Sequence, residues 1–567
     1  MHDLILLHAP SVYDFRRRAT LWGPISDLVP SEPVFDMYPL GFGTLAAYLG
    51  QHGLSVRIVN LAARMVRDPL FSVEIALAEM DAHAFGIDLH WLPHAHGALE
   101  IAARVKTHHP DQPVIFGGYS ATYFHEELIH SPHVDFILRG DSTEGPLLDL
   151  MLCILERRVP DQIPNLTWKD AAGAIRVNPP GELPDSLDHL TLDYYPIVRS
   201  VVRDRSLSDY LPFNHWLDYP IMAAVTVRGC RFNCVFCGGS ACAAQQVSGR
   251  TRPAFRSPDR LAEDVRRLGA LTRAPVFILG DLRQAGMGYA RSFFKAVQGF
   301  DGPVITELFR PADRAYLERF AAALPNFTVE FSPESHDPRI RAVMGKRYSN
   351  EAIEATIRAA LGVGARRFDL FYMIGLSGQT PNSVLEMVSA ARRLLGRFPD
   401  RRLVPFISPL APFLDPGSLA YEHPDRYGYR RNAFTLADHR RRLLEPTWKH
   451  ILSYETRWMD RSAIADVTYE AGFRLNRIKR DFGLVDRETA ARTEDRIRRA
   501  RELMAAIDAQ IVRGTEADLE SWLLAHKDRI DRANASTVCD KSELDVSVGP
   551  IPFKLLKLAG IGLGLTD

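Results

Sequence analysis

Short apolar runs alternate with amphipathic stretches twice along this chain, and that double alternation constrains the fold more than any other feature. In residues 1–156 the runs are 4–7, 56–59, 84–87, 113–116 and 136–138, separated by helix-like stretches at 38–51, 71–80, 95–106, 121–129 and 145–156. Runs this short, bounded by turn residues, read as buried strands, and strands alternating with helices read as βαβ units on a parallel sheet. Five of them predict a doubly wound, Rossmann-like domain whose ligand sits beyond the carboxyl ends of the strands. Alternation resumes with strands expected at 221–227, 276–279, 304–308, 328–331, 368–374 and 403–407, and helices at 258–268, 311–323, 350–361 and 381–395. Six βα repeats predict a partial (β/α)6, TIM-like barrel with ligands at its carboxyl mouth. The expected fold class is therefore α/β, with domains at 1–156, a hairpin-containing connector at 157–220, a barrel at 221–411, and a mainly helical substrate or cap region at 412–567.

Composition narrows the function classes. A chain of 567 residues, 46% hydrophobic and 24% charged, is globular and has several domains. Zero net charge gives no general pull toward nucleic acid. With no secretory pattern and no bilayer-length apolar window, the expected compartment is the cytoplasm, where thiols stay reduced. Six cysteines are few, yet Cys230, Cys234, Cys237 and Cys242 crowd into thirteen residues. Such clustering points to metal or redox chemistry rather than disulfides.

Those cysteines lie in Arg228-Gly229-Cys230-Arg231-Phe232-Asn233-Cys234-Val235-Phe236-Cys237, directly after the first barrel strand. Three thiolates in eight residues can bind three irons of a cubane, leaving the fourth open to a small molecule. A structural zinc site normally needs four ligands, and only Cys242 is close enough in sequence to complete one. The segment resembles the radical S-adenosylmethionine (SAM) superfamily, whose CxxxCxxC loop carries an aromatic, here Phe236, before the third cysteine. The resemblance implies a [4Fe-4S] cluster on Cys230, Cys234 and Cys237. It also implies an external one-electron reductant and reductive cleavage of SAM to a 5′-deoxyadenosyl radical. SAM contacts are then expected at Phe236, Gly280, Asp281, Ser332, Glu334, Arg341, Ile374 and Gly375. For each of these, barrel packing, a solvated charge or a tight turn is the competing explanation.

Residues 1–156 resemble the cobalamin-binding domain that precedes many radical SAM barrels. The likeness is carried by Pro39-Leu40-Gly41, Phe85-Gly86-Ile87-Asp88, Val114–Thr122 with its Gly117-Gly118, and Leu138-Arg139-Gly140-Asp141. It implies cobalamin contacts at Pro10, Gly41, Asp88, Leu89, His90, Gly117, Gly118 and Gly140. The Asp-x-His-x-x-Gly loop that supplies a lower cobalt ligand is absent after the first strand. After the third strand, Asp88-x-His90 is followed by Pro93 in place of the glycine. No protein histidine on cobalt is therefore expected.

Together these features predict C-methylation or another radical modification, cyclisation included. Competing expectations are a cobalamin-independent RNA-modifying enzyme and a non-catalytic cobalamin or redox sensor. Pro412–Ser418, Tyr427, Tyr429, Trp448, Tyr454 and Trp458 are candidates for a substrate pocket or for plain packing. The apolar stretch within 549–567, with Lys554 and Lys557, suggests a lipid-like substrate and a peripheral membrane contact. Its competing reading is a tail folded onto the barrel.

Overall fold

The computed structural model describes residues 1–24, 31–190, 194–410, 412–534, 538–546 and 561. In β1 (His2–His8), Leu4 and Leu6 enter one core with Phe42, Leu49, Leu147 and Leu150 of helices Gly41–Gln51 and Glu144–Leu155. Ile5 and Leu7 enter the opposite core with Ala98, Ile101 and Ala102 of helix Ala95–His108. A strand covered on both faces needs an unbroken apolar run, which is why these strands show no polar alternation.

β1 lies between β2 (Val56–Asn60) and β3 (Ala82–Asp88), and β4 (Val114–Gly117) and β5 (Phe136–Leu138) follow β3, all parallel. In the order β2-β1-β3-β4-β5 the direction of growth reverses at β1. The topological switch point therefore falls between the carboxyl ends of β1 and β3. The hairpin expected in the connector forms as β6 (Leu166–Lys169) and β7 (Ile175–Val177). It does more than connect, because it extends the first sheet by two antiparallel strands beyond β5.

The second sheet contains β8 (Met222–Val225), β11 (Val276–Leu279), β12 (Val304–Leu308), β13 (Phe327–Glu334), β14 (Arg367–Ile374) and β15 (Leu403–Pro409). They pair in parallel in the order β15-β14-β13-β12-β11-β8, an open six-stranded arc. Between β8 and β11, β9 (Val227–Arg228) and β10 (Ala254–Phe255) form a short antiparallel pair. The C-terminal region carries the expected helices as Leu436–Arg442, Arg461–Asp481 and Arg487–Arg513. It also holds an unexpected antiparallel pair, β16 (Tyr429–Arg431) and β17 (Tyr454–Thr456). Helix Arg461–Asp481 packs on β15 and on helix Pro381–Arg397, covering one side of the arc.

Residues 20–22 meet the C-terminal region. The N–H of Leu21 donates to Pro446 O and that of Trp448 to Leu21 O, each at 2.9 Å. The Trp22 N–H donates to Asn534 Oδ1, and Asn534 Nδ2 donates to Thr20 O, each at 2.8 Å. No described helix is long and apolar enough to cross a membrane. The membrane contact expected of 549–567 lies outside the described residues, apart from Ile561, which is buried with Tyr195 and Leu271.

Candidate functional site

The cysteine loop leaves the carboxyl end of the first barrel strand. Gly229, at φ +83°, makes the turn into it, where a Cβ would lie 2.8 Å from Arg250 Cδ. The loop is pinned from two sides: Val235 N–H donates to Met344 O (3.2 Å) and Ala420 N–H to Val235 O (2.8 Å). Gly345, at φ +89°, passes under Asn233, whose carbonyl oxygen would be 2.6 Å from any Cβ. Ser240 then caps helix Ala241–Ser248.

Cys230, Cys234 and Cys237 are free and half-buried. Burial pushes the Cys230 thiol up to about 11, with the neighbouring Cys234 charge adding to it. Burial raises Cys237 further, again with Cys234 contributing, and raises Cys234 itself. Three adjacent thiols that resist ionisation become thiolates more readily beside positive charge, as a bound metal would provide. Among the described residues no three His, Cys, Asp or Glu side chains gather as ligands of one metal ion. A cubane, in which each thiolate takes its own iron, does not require that convergence. Cys242 opens the following helix with its N–H on Asn233 Oδ1 (2.8 Å). Cys153 is buried in the front domain, and Cys539 lies behind β15 beside Lys479.

Gln284, which sequence reasoning missed, touches the loop directly. Its Oε1 accepts from Cys230 Sγ at 3.1 Å and from the Arg231 N–H at 3.0 Å. No motif marks it; only its place just after β11 puts it at the mouth.

The structure sorts the expected SAM residues. Phe236 is half-buried in the loop, and Ser332 is half-buried in β13. Gly280, at φ +91°, donates its N–H to Glu307 Oε2 at 2.6 Å. Burial pushes Glu307 up to about 7. Asp281 turns away: it pairs with Arg283, accepts from the Phe309 N–H at 3.0 Å and caps the turn Leu282–Ala285. Arg341 is wholly buried and donates to the carbonyls of Ser335 (2.8 Å) and Tyr348 (2.9 Å). As folded it braces the 335–348 segment instead of facing a ligand carboxylate. Glu334 is buried against Lys346, which also holds Ser332 O, and Glu334 Oε2 has no partner. Ile374 is buried, and Gly375 (φ +94°) packs so tightly on Tyr454 that a Cβ would sit 2.8 Å from its hydroxyl. Tyr429 and Tyr454 are thus packing residues of the β16–β17 pair, and Trp448 is buried with its Nε1 on Tyr469 (2.9 Å). Below the mouth, Glu307, Glu330 and Asp369 occupy matched register positions on β12, β13 and β14. Burial raises the pKa of all three, and Glu330 Oε2 is unpartnered.

The front domain carries a buried polar knot at its switch point. His8 Nδ1 meets Asp88 Oδ1 at 2.8 Å, and His8 Nε2 and His94 Nε2 both reach Phe35 O, at 3.1 and 2.9 Å. With a carboxylate on one side and a carbonyl on the other, both His8 nitrogens donate, which makes it an imidazolium. Burial opposes that charge, but Asp88 and the Phe35 carbonyl outweigh it and the His8 pKa is raised. Burial would also raise Asp88, but His8 outweighs it and holds the carboxyl low. Burial, with His8 beside it, holds His94 down to about 4, so it is neutral. His94 Nδ1, Asp88 Oδ2 and Ser11 Oγ remain buried without partners. His8 escaped sequence reasoning because it reads as the end of an apolar run.

At Gly118, φ +105°, a Cβ would lie 2.8 Å from the backbone of His90, so the close approach of the two loops requires glycine here. Around Gly41 there is open space, while Gly117 and Gly140 meet only one atom each, at 3.8 and 3.9 Å. These three positions have room for a side chain. Pro10 and Leu89 are buried beside the knot, and His90 is half-buried with its ring edge-on to Trp91.

The carboxyl ends of the two sheets face each other. Arg228 of the cysteine loop pairs with Glu144 (2.5 and 3.0 Å), which also accepts from Thr44, and Arg250 pairs with Asp141 (2.5 and 2.9 Å). Tyr119 donates to Pro416 O and lies against Gly238. The Gly238 N–H donates to Asp415 Oδ2 (2.8 Å), whose carboxyl burial pushes up to about 6.

Comparison with known proteins agrees with this layout. The B12 binding domain family matches residues 28–147, and the Radical SAM superfamily matches residues 224–391. An uncharacterized methyltransferase of Pyrococcus horikoshii is 24% identical over 63% of this chain and 73% of its own. The cytidylyl-2-hydroxyethylphosphonate methyltransferase of Streptomyces wedmorensis is 24% identical over 62% of this chain and 72% of its own. The radical SAM methyltransferase TsrM of Kitasatospora setae, solved with cobalamin and a [4Fe-4S] cluster, superposes with a TM-score of 0.56. It is 16% identical, over 94% of this chain and 99% of its own, so that likeness is one of fold.

Proposed function

We propose that this chain, in which a B12-binding domain is joined to a radical SAM domain, is a cobalamin-dependent radical SAM enzyme that transfers a methyl group from SAM to carbon on a small molecule bound between the two sheets. The observation that carries this reading is the apposition of the cysteine loop and the front domain through Arg228–Glu144, Arg250–Asp141 and Tyr119–Pro416. When bound, the cluster and SAM supply one-electron cleavage chemistry and cobalamin supplies a methyl carrier.

The chain's own residues set the stage for that chemistry. Cys230, Cys234 and Cys237 would hold the cluster. Phe236, Gly280, Ser332, Glu334 and Gly375 would border SAM, with Glu307 beside Gly280 as an additional acceptor. Gly41, Gly117 and Gly140 would keep room for the corrin, while Pro10, Asp88, Leu89 and His90 form the floor at the switch point. His8 spends both nitrogens within the protein and His94 Nδ1 is fully buried, which supports cobalamin binding without a histidine on cobalt. The ion pairs between the sheets tie the cysteine loop to the front domain.

The test uses anaerobically reconstituted protein, an external one-electron reductant, cobalamin and SAM labelled in its methyl group. Label is expected on cobalamin and then on a small-molecule acceptor, with Cys234→Ala inactive. Cleavage of SAM with no label ever reaching cobalamin would overturn methyl transfer while leaving the radical SAM reading intact.

A further inference from the structure

We propose that Gln284 hydrogen-bonds the Cys230 side of the iron–sulfur cluster and thereby raises its reduction potential. The inference rests on the functional reading above.

Gln284 is only 3% exposed and sits in the turn Leu282–Ala285 at the end of β11. Its Oε1 is fully used, by the Arg231 N–H and the Cys230 thiol. Its Nε2 is buried and has no partner. Buried amide hydrogens without an acceptor are costly, and each such group calls for an explanation. The missing acceptor follows from the chemistry of the neighbour. As an iron ligand Cys230 is a thiolate with no hydrogen to give, so the present Oε1···Sγ contact would set two acceptors against each other. The Arg231 N–H still holds the oxygen. The group left to answer the sulfur is the orphan NH2, one atom away on the same amide.

The surroundings hold Gln284 in place for this role. Asp281 accepts from the Arg283 N–H at 3.0 Å and pairs with the Arg283 guanidinium, which is itself tied to the carbonyls of Arg310 and Pro311. The Gln284 N–H returns to Asp281 O at 3.0 Å. Asp281 is thus a positioning residue for the turn. Each outer sulfur also has a backbone donor, Phe232 N–H to Cys230 (3.4 Å) and Gly239 N–H to Cys237 (3.3 Å). The side-chain amide makes the Cys230 end the richer in donors.

An electron taken from the external reductant adds negative charge to the cluster sulfurs. A donor on those sulfurs stabilises the reduced form more than the oxidised one, so its loss lowers the potential.

The experiment compares full-length wild type, Gln284→Met and Gln284→Asn, reconstituted anaerobically and checked for iron and sulfide. Redox titration followed by EPR should show Gln284→Met with about a tenfold lower reduced-to-oxidised ratio at fixed potential, about 59 mV for one electron. Gln284→Asn, a donor on a shorter stem, should fall between. Independently of any variant, wild type carrying 15N in its glutamine side chains should show a 15N coupling to the reduced cluster in pulsed EPR. Equal potentials in cluster-replete wild type and Gln284→Met overturn the proposal. If Gln284→Met does not hold a cluster, the 15N coupling decides alone: its presence supports the proposal and its absence overturns it. A wild type without a [4Fe-4S] centre is a different result, because it removes the functional reading itself.

Discussion

The carboxyl ends of the two sheets prepare for their ligands in opposite ways. The first sheet offers room: Gly41, Gly117 and Gly140 leave space, and the charged groups there, His8 and Asp88, neutralise each other below the surface. The second sheet offers unfinished chemistry. Three thiols, the Gln284 amide, the Thr226 and Thr306 hydroxyls, and the Glu330 and Glu334 carboxyls all sit buried or half-buried, and Gln284 Nε2, both hydroxyls, Glu330 Oε2 and Glu334 Oε2 have no partner. A large corrinoid is recognised by shape and main chain, so single changes should act by degrees. A cluster and a charged sulfonium are held by a few strong bonds, so single changes should act all at once.

The largest expected effect tests the second half of that contrast. Cys234→Ala should abolish the cluster and bring SAM cleavage to background, measured by iron content and 5′-deoxyadenosine release. Cys153→Ala and Cys539→Ala, far from the loop, should keep both. Retention of a full cubane in Cys234→Ala would falsify the ligand assignment.

The seam between the sheets comes next. The Arg228 and Glu144 side chains are only 16% and 3% exposed. Removing Arg228 strands a buried carboxylate, and breaking such a pair costs about 3–5 kcal/mol. Arg228→Ala should therefore lower the urea midpoint by that energy divided by the m-value. An unchanged midpoint would show that the sheets are held together elsewhere.

A smaller effect is expected on the shape-reading side. Gly41→Leu fits the fold, since open space surrounds the position. It should weaken cobalamin retention about tenfold, or about 1.4 kcal/mol, as read by equilibrium dialysis. Unaltered retention with an intact fold would place the corrin away from Gly41 and weaken the contrast.

The smallest effect concerns pH. The His8 pKa is raised above 6.5, so its contribution is full below that value and is lost as pH rises through the raised one. Asp88 is held below 3.8, so its contribution is present above that value and is lost only in stronger acid. Thermal stability should therefore decline as pH rises above 6.5 through the raised His8 value, and His8→Gln should flatten that slope. Parallel slopes in the two proteins would remove the imidazolium–carboxylate pair as the cause.

Much of the architecture was legible in the sequence because it rests on local signals. Apolar runs such as 4–7 and 304–308 mark strands by themselves, and the cysteine spacing marks a cofactor loop without any tertiary knowledge. What stayed hidden depends on pairing across the chain. His8 and Asp88 are 80 residues apart and Cys230 and Gln284 are 54 apart, so no window of sequence joins them. Arg341 shows the same limit: an arginine near a strand end suits an anion, and only the fold shows its Nη1 and Nη2 donating to two carbonyls.

The tie between residues 20–22 and Asn534 bears on how the protein is made. Thr20 and Trp22 find their partner in Asn534, and the Trp22–Asn534 bond spans 512 positions. At roughly 5–20 residues per second, the ribosome delivers that asparagine on the order of half a minute to a hundred seconds after the front strands emerge. During that interval the front sheet can assemble from its own strands, but the backbone at 20–22 must stay bonded to water or to a chaperone. A nascent chain stalled before the last helices would therefore carry a nearly finished first domain with one loose strap, a species that limited proteolysis on ribosomes would cut near residue 22.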